Sequence, residues 1–276
     1  MLRRHMPIRL IAADLDGTLL RSDGSISART RAALANAEAR GRVVMSVTAR
    51  PPRRVQRIAA ASGLRGLAIC SNGAVLYDLE TQRVVRQHRL AAEVVAELVA
   101  RLRTSLPDVA FAIEAGAEYG CEPSYRILSE HPHDRVDPNM QRGDALELSR
   151  NGVTKLIVQR IGGALEELLA VTRAHAGALA TVTHSGSEFV EVAAAGVTKA
   201  LALEAYCEER GIRCQDVVAF GDMPNDIPML SWAGRAVAVA NAHPEVLAVA
   251  AEVTRSNDED GVADTLEALA ACDYLA

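Results

Sequence analysis

The sequence is short of several things at once. Aromatic residues make up 3% of 276, so the 49% apolar fraction rests mainly on Ala, Val and Leu. There are five cysteines, at positions 70, 121, 207, 214 and 272, and no Cys-x-x-Cys pair among them. An odd set with that spacing argues against a disulfide framework or a zinc cluster and fits a reducing compartment. Positive charge is not in excess: the net charge of −5 lacks the basic balance of a nucleic-acid binder. Every apolar run meets Arg, Glu or Asp before it reaches membrane-spanning length. The basic start Met1-Leu2-Arg3-Arg4-His5-Met6-Pro7 leads into an apolar stretch too short for a signal peptide before it meets Asp14. No Gly-x-Gly-x-x-Gly follows the first apolar run, which disfavours a dinucleotide-binding dehydrogenase. Internal repeats and low-complexity linkers are absent too. The expectation is a cytoplasmic protein, long enough for a large core and two domains, with no nucleic-acid or membrane partner.

Among what is present, Asp14-Leu15-Asp16-Gly17-Thr18-Leu19, directly after Ile8-Arg9-Leu10-Ile11-Ala12-Ala13, is the most informative run. An apolar strand delivers two carboxylates, two residues apart, to a turn containing glycine, and in an extended chain residues i and i+2 point the same way. At ~4 Å, two ionised carboxylates repel by roughly 4 kcal/mol at an effective dielectric near 20. Such a pair calls for a cation or a retained proton. Read alone, the run is equally a strand followed by an Asp-Gly turn.

Short apolar runs alternate with longer Ala-rich amphipathic ones, which reads as α/β. Ser27 caps a helix that ends near Gly41. Val43–Val47 is a buried strand, Pro51-Pro52 opens a helix, and Leu67–Cys70 is a third strand. Val75–Tyr77 and Arg83–Val85 form a hairpin. Near Gln87 the character changes to a helix over 91–106, strands near 109–114, 155–159 and 180–184, a helix over 165–175 and a loop-rich stretch from Ala115 to about Asn151. The α/β pattern then resumes, with a helix from Lys199 to Arg210, strands over 217–220 and 236–240, and a last helix from about Val262.

The polar punctuation of this pattern falls at matching places. Asp14 and Asp16 end the first strand, Thr48 the second, and Gly221-Asp222-Met223-Pro224-Asn225-Asp226 a later one, while Lys199 begins a helix. In open α/β sheets, ligands bind beyond the carboxyl ends of the strands, so these groups would converge. Asp14, Asp16, Asp222 and Asp226 are hard oxygen ligands suited to Mg²⁺. Lys199, Thr48 and a helix N-terminus are donors for phosphate oxygens. Such a set suits phosphoryl transfer, where positioning and charge stabilisation do most of the catalysis.

In order and spacing, Asp14-Leu15-Asp16-Gly17-Thr18, Thr48, Lys199 and Gly221–Asp226 resemble the four motifs of haloacid dehalogenase-like phosphatases. Cys70-Ser71-Asn72-Gly73-Ala74, Gly196-Val197-Thr198-Lys199 and Ser256-Asn257-Asp258-Glu259-Asp260-Gly261-Val262-Ala263 look like the Cof-type branch. The resemblance implies a Rossmann-like parallel-sheet core (1–86 and 188–276) with an inserted α/β cap (87–187). It implies Asp14 as nucleophile forming an aspartyl-phosphate, and Asp16 as the acid and then the base. Mg²⁺ would be held by the Asp14 side chain, the Asp16 carbonyl and Asp222. Thr48, Lys199 and Asn225 would bind phosphate, with Asp226, Asn72 and Gly17 in support. A dehalogenase typically lacks the second Asp, so Asp16 speaks for phosphate. Three positions depart from the family: Ala49, Ala200 and Ala236 stand where glycine is usual, which bears on backbone approach to a substrate rather than on the reacting groups.

The implied activity is Mg²⁺-dependent hydrolysis of a small phosphomonoester by a monomer or homodimer. The ester would be a sugar phosphate, or a phosphorylated cofactor such as pyridoxal phosphate or flavin mononucleotide. The cap would set access and specificity. Rivals are a phosphomutase of the phosphomannomutase type and a non-catalytic phosphate-binding protein. Among other residues, His131-Pro132-His133 is a weak metal pair, Tyr119, Tyr125 and Arg126 are candidates to read a substrate, Arg50 either structures its loop or faces phosphate, and Asp258 and Asp260 read as turn and cap residues.

Overall fold

A computed structural model describes residues 8–116, 118–127, 140–186 and 188–273. The chain begins with β1 (Leu10–Ala13), α1 (Ala28–Ala39), β2 (Val43–Val47), α2 (Pro52–Ser62), β3 (Leu67–Cys70), β4 (Val75–Asp78) and β5 (Arg83–Gln87). A second set follows: α3 (Ala92–Ser105), β6 (Val109–Ala115), β7 (Glu118–Cys121), β8 (Gln141–Arg142), α4 (Ala145–Leu148), β9 (Lys155–Arg160), α5 (Leu165–Ala176), β10 (Ala180–Thr183) and β11 (Phe189–Ala194). The last part holds α6 (Lys199–Glu209), β12 (Val217–Gly221), α7 (Ile227–Trp232), β13 (Arg235–Val239), α8 (Pro244–Val249), β14 (Glu252–Thr254) and α9 (Gly261–Asp273).

Two sheets organise these elements. The larger has strand order β14-β13-β12-β1-β2-β3-β4-β5, parallel from β14 to β3, with the antiparallel β4–β5 hairpin at one edge. Leu10, Ile11 and Ala12 are wholly buried, as expected of a central parallel strand covered on both faces. One face packs around Ile11, Val55, Ile58 and Leu266, the other around Leu10, Met45, Leu203 and Met229. The expected helix starts are realised: Ser27 Oγ accepts the Thr30 N–H, and the Thr198 side chain accepts the Leu201 N–H.

The smaller sheet has order β10-β11-β9-β6-β7-β8 and is antiparallel except at β7–β8. Strand alternation sorts its side chains. Val109, Phe111, Ile113, Leu156, Val158, Val190 and Val192 face α3 and α5, whereas Ala110, Ala112 and Ile157 lie on the other side with Tyr119 and Tyr125. The boundary expected at 187/188 falls inside this sheet, because β11 pairs with both β9 and β10. Sequence reading ran Phe189–Ala194 into the core segment that follows it. The stretch read as loop between Ala115 and Asn151 holds β7, β8 and α4, and the last part holds α7, α8 and β14, which are too short for a periodic signal. His131-Pro132-His133 lies outside the described residues.

Phe111 is fully buried between this sheet and its helices. Phe111→Ala should lower the unfolding free energy by about 3–5 kcal/mol. Urea denaturation measures this, and a loss under about 1 kcal/mol would contradict the packing described.

Candidate active site

The carboxyl ends of β1, β2 and β12 open onto one cleft, as sheet topology requires. After β1 the chain makes a wide turn: the Leu19 N–H reaches the Asp14 carbonyl at 3.2 Å and the Leu20 N–H reaches that of Leu15 at 2.7 Å. Gly17 (φ +71°) lets the turn pass Asp222, since a Cβ there would overlap Asp222 Oδ2. Gly73 (φ +104°) does the same for the turn after β3, where a Cβ would overlap the Thr198 carbonyl at the start of α6. Two sequence-distant glycines thus set the distances between the segments that carry the polar groups.

Lys199 is at the centre. The residue is 2% exposed, and its ammonium donates to Asp14 Oδ1 at 2.6 Å and Asp226 Oδ1 at 2.7 Å. Asp226 Oδ2 accepts the backbone N–H groups of Asp222 and Met223, both at 3.1 Å. Thr18 donates its hydroxyl to Asp222 Oδ1 at 2.8 Å. Asp14, Asp222 and Asp226 each bring an oxygen within 4.8 Å of the others. Burial pushes the Asp14 carboxyl well above its ordinary pKa; Lys199 opposes this, while Asp226, Asp222 and Asp16 add to it. Asp222 is pushed up to about 7, by burial first and Asp226 next. Burial works against the Lys199 ammonium, yet Asp14 and Asp226 outweigh it and raise its pKa.

Asp16 stands apart from this cluster. Its side chain is 39% exposed and accepts both guanidinium arms of buried Arg50, Nε at 2.7 Å and Nη2 at 2.6 Å. Arg50 therefore grips a carboxylate, and its own N–H bonds to Thr48 Oγ1 at 3.1 Å. The Thr48 hydroxyl thus shapes the loop after β2, and Thr48 is not among the residues lining the cleft. Asn225 and Asn72 are joined, Nδ2 to Oδ1 at 3.1 Å, and Asn225 Oδ1 is buried without a hydrogen-bond partner among the described residues. Asp258 accepts from Ser22 and Asp260 from Arg21, holding the loop after β1. Of the three alanines in place of glycine, only Ala49 lines the cleft; Ala200 and Ala236 pack in the hydrophobic cluster around Leu203.

A cavity of about 450 Å³ separates this floor from the smaller sheet. Tyr119 and Tyr125 line it while packing with Ala112 and Ile157, whereas Arg126 is exposed and its backbone pairs with the Gln159 amide. Sequence reading passed over Glu114, Lys155 and Glu191, which line the same roof. Glu114 and Glu191 are each the one charge in an otherwise apolar strand, and Lys155 opens β9 ahead of Leu156-Ile157-Val158; those were the signals available.

Comparison with known proteins agrees with this geometry. The family model for haloacid dehalogenase-like hydrolases matches residues 11–266. The 5-amino-6-(5-phospho-D-ribitylamino)uracil phosphatase YcsE of Bacillus subtilis is 30% identical, over 96% of this chain and 96% of its own. The HMP-PP phosphatase of Serratia proteamaculans is also 30% identical, over 86% of each chain. A crystal structure of a haloacid dehalogenase-like hydrolase from Bacteroides thetaiotaomicron superposes with a TM-score of 0.78 at 28% identity, covering 95% of this chain and 99% of that one.

The raised Asp222 pKa has a measurable consequence. A carboxyl whose folded pKa exceeds its unfolded value stabilises the fold below the unfolded pKa, and that stability is lost as pH rises through the folded one. In EDTA, unfolding free energy should fall by more than about 1 kcal/mol between about pH 5 and pH 8. Asp222→Asn should flatten the fall, and equal slopes for the two proteins in urea titrations would contradict the assignment.

Proposed function

The chain is an enzyme of the haloacid dehalogenase-like hydrolase family, in its Cof-type phosphatase branch, and we propose that it is a Mg²⁺-dependent phosphatase working through an aspartyl-phosphate. The observation that carries this reading is Lys199 held between Asp14 and Asp226, with Asp222 beside them, in a dry recess at the carboxyl edge of the sheet. The substrate would be a small phosphomonoester, either a sugar phosphate or a phosphorylated cofactor. A roofed cavity of about 450 Å³ supports a small ester, as do relatives whose names specify small phosphorylated metabolites.

The donor set fits a hard divalent cation. Three carboxylates share oxygens within 4.8 Å, two of them are held above their ordinary pKa by burial and mutual repulsion, and the Asn225 side-chain amide oxygen is buried without a hydrogen-bond partner among the described residues. The Asp14 and Asp222 side chains and the Asp16 carbonyl would hold Mg²⁺, which supplies charge neutralisation for the phosphoryl oxygens.

The residues then divide the work. Lys199 fixes Asp14 through Oδ1, leaving Oδ2 to attack phosphorus as the bond from phosphorus to the ester oxygen breaks. Asp16 gives its proton to the departing alkoxide. It then takes a proton from water, whose oxygen attacks the phosphorus of the acyl phosphate and releases inorganic phosphate and the Asp14 carboxylate. Both Asp16 oxygens accept from the Arg50 guanidinium, so that grip must loosen for Asp16 to hand a proton to the leaving oxygen. Asn225, tied to Asn72, and the ammonium of Lys199 would receive phosphate oxygens, with Thr48 holding the loop beneath.

Phosphate release from a panel of sugar, nucleotide and cofactor phosphates tests this reading. Release should need Mg²⁺ and stop with EDTA. Asp14→Asn should abolish it with the fold intact, and Asp16→Asn should lower kcat by about 10²–10⁴-fold. Substantial turnover by Asp14→Asn would remove the nucleophile assignment. No release from any ester, with isomerisation of a sugar phosphate once a bisphosphate activator is added, would indicate a mutase.

A further inference from the structure

Lys155 takes no part in the phosphoryl chemistry proposed above, yet it is a charged residue, 3% exposed, at the start of β9 in the roof of the cleft. A lone ammonium in so dry a place would be costly or would shed its proton. Register supplies counter-charges. Glu114 is its direct partner across β6 and β9, and Glu191 pairs with Ile157, two residues along on the same face. Nζ donates to Glu191 Oε1 at 2.6 Å and lies 3.5 Å from Glu114 Oε2. Burial works against the charge, but Glu114 and Glu191 outweigh it and raise the Lys155 pKa.

An ammonium has three donors, and Lys155 sends one of them out of its own sheet, to the Ala49 carbonyl at 2.5 Å. That carbonyl belongs to the peptide joining Ala49 to Arg50. The other end of the same peptide, the Arg50 N–H, donates to Thr48 Oγ1 at 3.1 Å. A peptide unit is planar, so holding both ends fixes its plane. On the other side of Arg50, its own carbonyl accepts the Ser71 N–H at 2.9 Å. Ser71 Oγ in turn donates to Glu114 Oε2 at 3.3 Å, so the register partner of Lys155 touches that side too. The Arg50 backbone is thus pinned before and after its Cα, and the roof reaches it from both directions. From that backbone the guanidinium takes both oxygens of Asp16, at 2.7 and 2.6 Å.

We propose that Lys155 is a positioning residue for proton transfer by Asp16: seated on the Ala49 carbonyl, it sets the backbone from which Arg50 places the Asp16 carboxyl. The proposal rests on the phosphatase reading and deepens it. The Asp16 side chain is 39% exposed, and Arg50 is what it bonds to. A guanidinium anchored through its backbone can give up one carboxyl oxygen and keep the other, so the freed oxygen carries its proton at a defined place. Misplacing a reacting group by about 1 Å can cost about 10²-fold in rate. The effect falls on one step. Asp16 protonates the departing oxygen, so correct placement matters more as that oxygen becomes more basic. A direct contact between Lys155 and substrate would instead act alike on esters of one size and shape.

The test measures kcat/KM with Mg²⁺ for aryl monophosphates of similar size and rising phenoxide basicity: p-nitrophenyl, p-chlorophenyl, phenyl and p-methoxyphenyl phosphate. This parameter reports the step in which the phenoxide departs. p-Nitrophenoxide leaves readily without a proton, whereas the more basic phenoxides depend on one. Lys155→Met should therefore lower kcat/KM for phenyl phosphate by about tenfold or more beyond its effect on p-nitrophenyl phosphate, steepening the dependence on leaving-group basicity. An equal loss on all four esters, as a substrate contact or a general loosening of structure would give, overturns the proposal, and so does no loss. Asp16→Asn should steepen the dependence in the same way, and adding Lys155→Met to it should steepen it no further. A further steepening by the same factor overturns the proposal, because the two residues would then act independently. Should Lys155→Met fail to fold, Lys155→Met with Glu191→Gln removes one charge of each sign and is read by the same criteria. A wild type that releases phosphate from none of these esters, nor from the panel above, defeats the phosphatase reading and the inference together. Release with the same dependence in wild type and Lys155→Met defeats the inference alone.

Discussion

One buried ammonium among carboxylates sets the terms for the rest of the site. Lys199, at the first turn of α6, bonds Asp14 from β1 and Asp226 from the loop after β12, so three segments far apart in sequence are fixed by one side chain. Leaving any of these charges alone in so dry a place would cost several kcal/mol. One positive charge against Asp14, Asp222 and Asp226 does not balance them when all are ionised. The metal-free protein answers by raising carboxyl pKa values; a divalent cation would answer by neutralising the charge. The same unbalanced electrostatics that makes the recess unfavourable on its own makes it suited to a metal and a phosphate.

Around that centre, geometry does the remaining work. Parallel strands bring their carboxyl ends to one edge, and Gly17 and Gly73 let the turns approach where a side chain would collide. Above it, the antiparallel sheet uses its period of two to put Phe111 and Val158 into its own core and Glu114, Lys155 and Glu191 over the cleft. The Lys155–Ala49 and Arg53–Glu114 contacts, with the Arg53 guanidinium 4.5 Å from the Tyr119 ring centre, connect roof to floor. The roof thus touches the loop that carries Arg50, whose guanidinium holds Asp16.

The core sheet and the floor of the site were legible in the sequence because each signal was local. Runs such as Leu10–Ala13 and Val217–Gly221 are apolar throughout, and each is followed at once by its polar group. Four ordered motifs then reinforced one another. The roof was less legible for physical reasons. β7 and β8 have four and two residues, below the length at which periodicity can be read. The place of Phe189–Ala194 is decided by pairing with β9, a tertiary choice that local pattern does not contain. Arg50 could be placed near phosphate or in its loop, but its grip on Asp16 depends on a contact 34 residues apart in sequence. Thr48 illustrates the opposite case: its position was evident, and its bond to the Arg50 N–H was not.

The central claim is that Asp14 becomes covalently phosphorylated during turnover. The direct measurement is acid quenching of the Mg²⁺-loaded enzyme during turnover of a hydrolysed ester, followed by peptide mass mapping. The account predicts a phosphate adduct, removable by hydroxylamine, on the peptide carrying Asp14 and on no other. An enzyme that turns over with no adduct, or with one on a different residue, would contradict it.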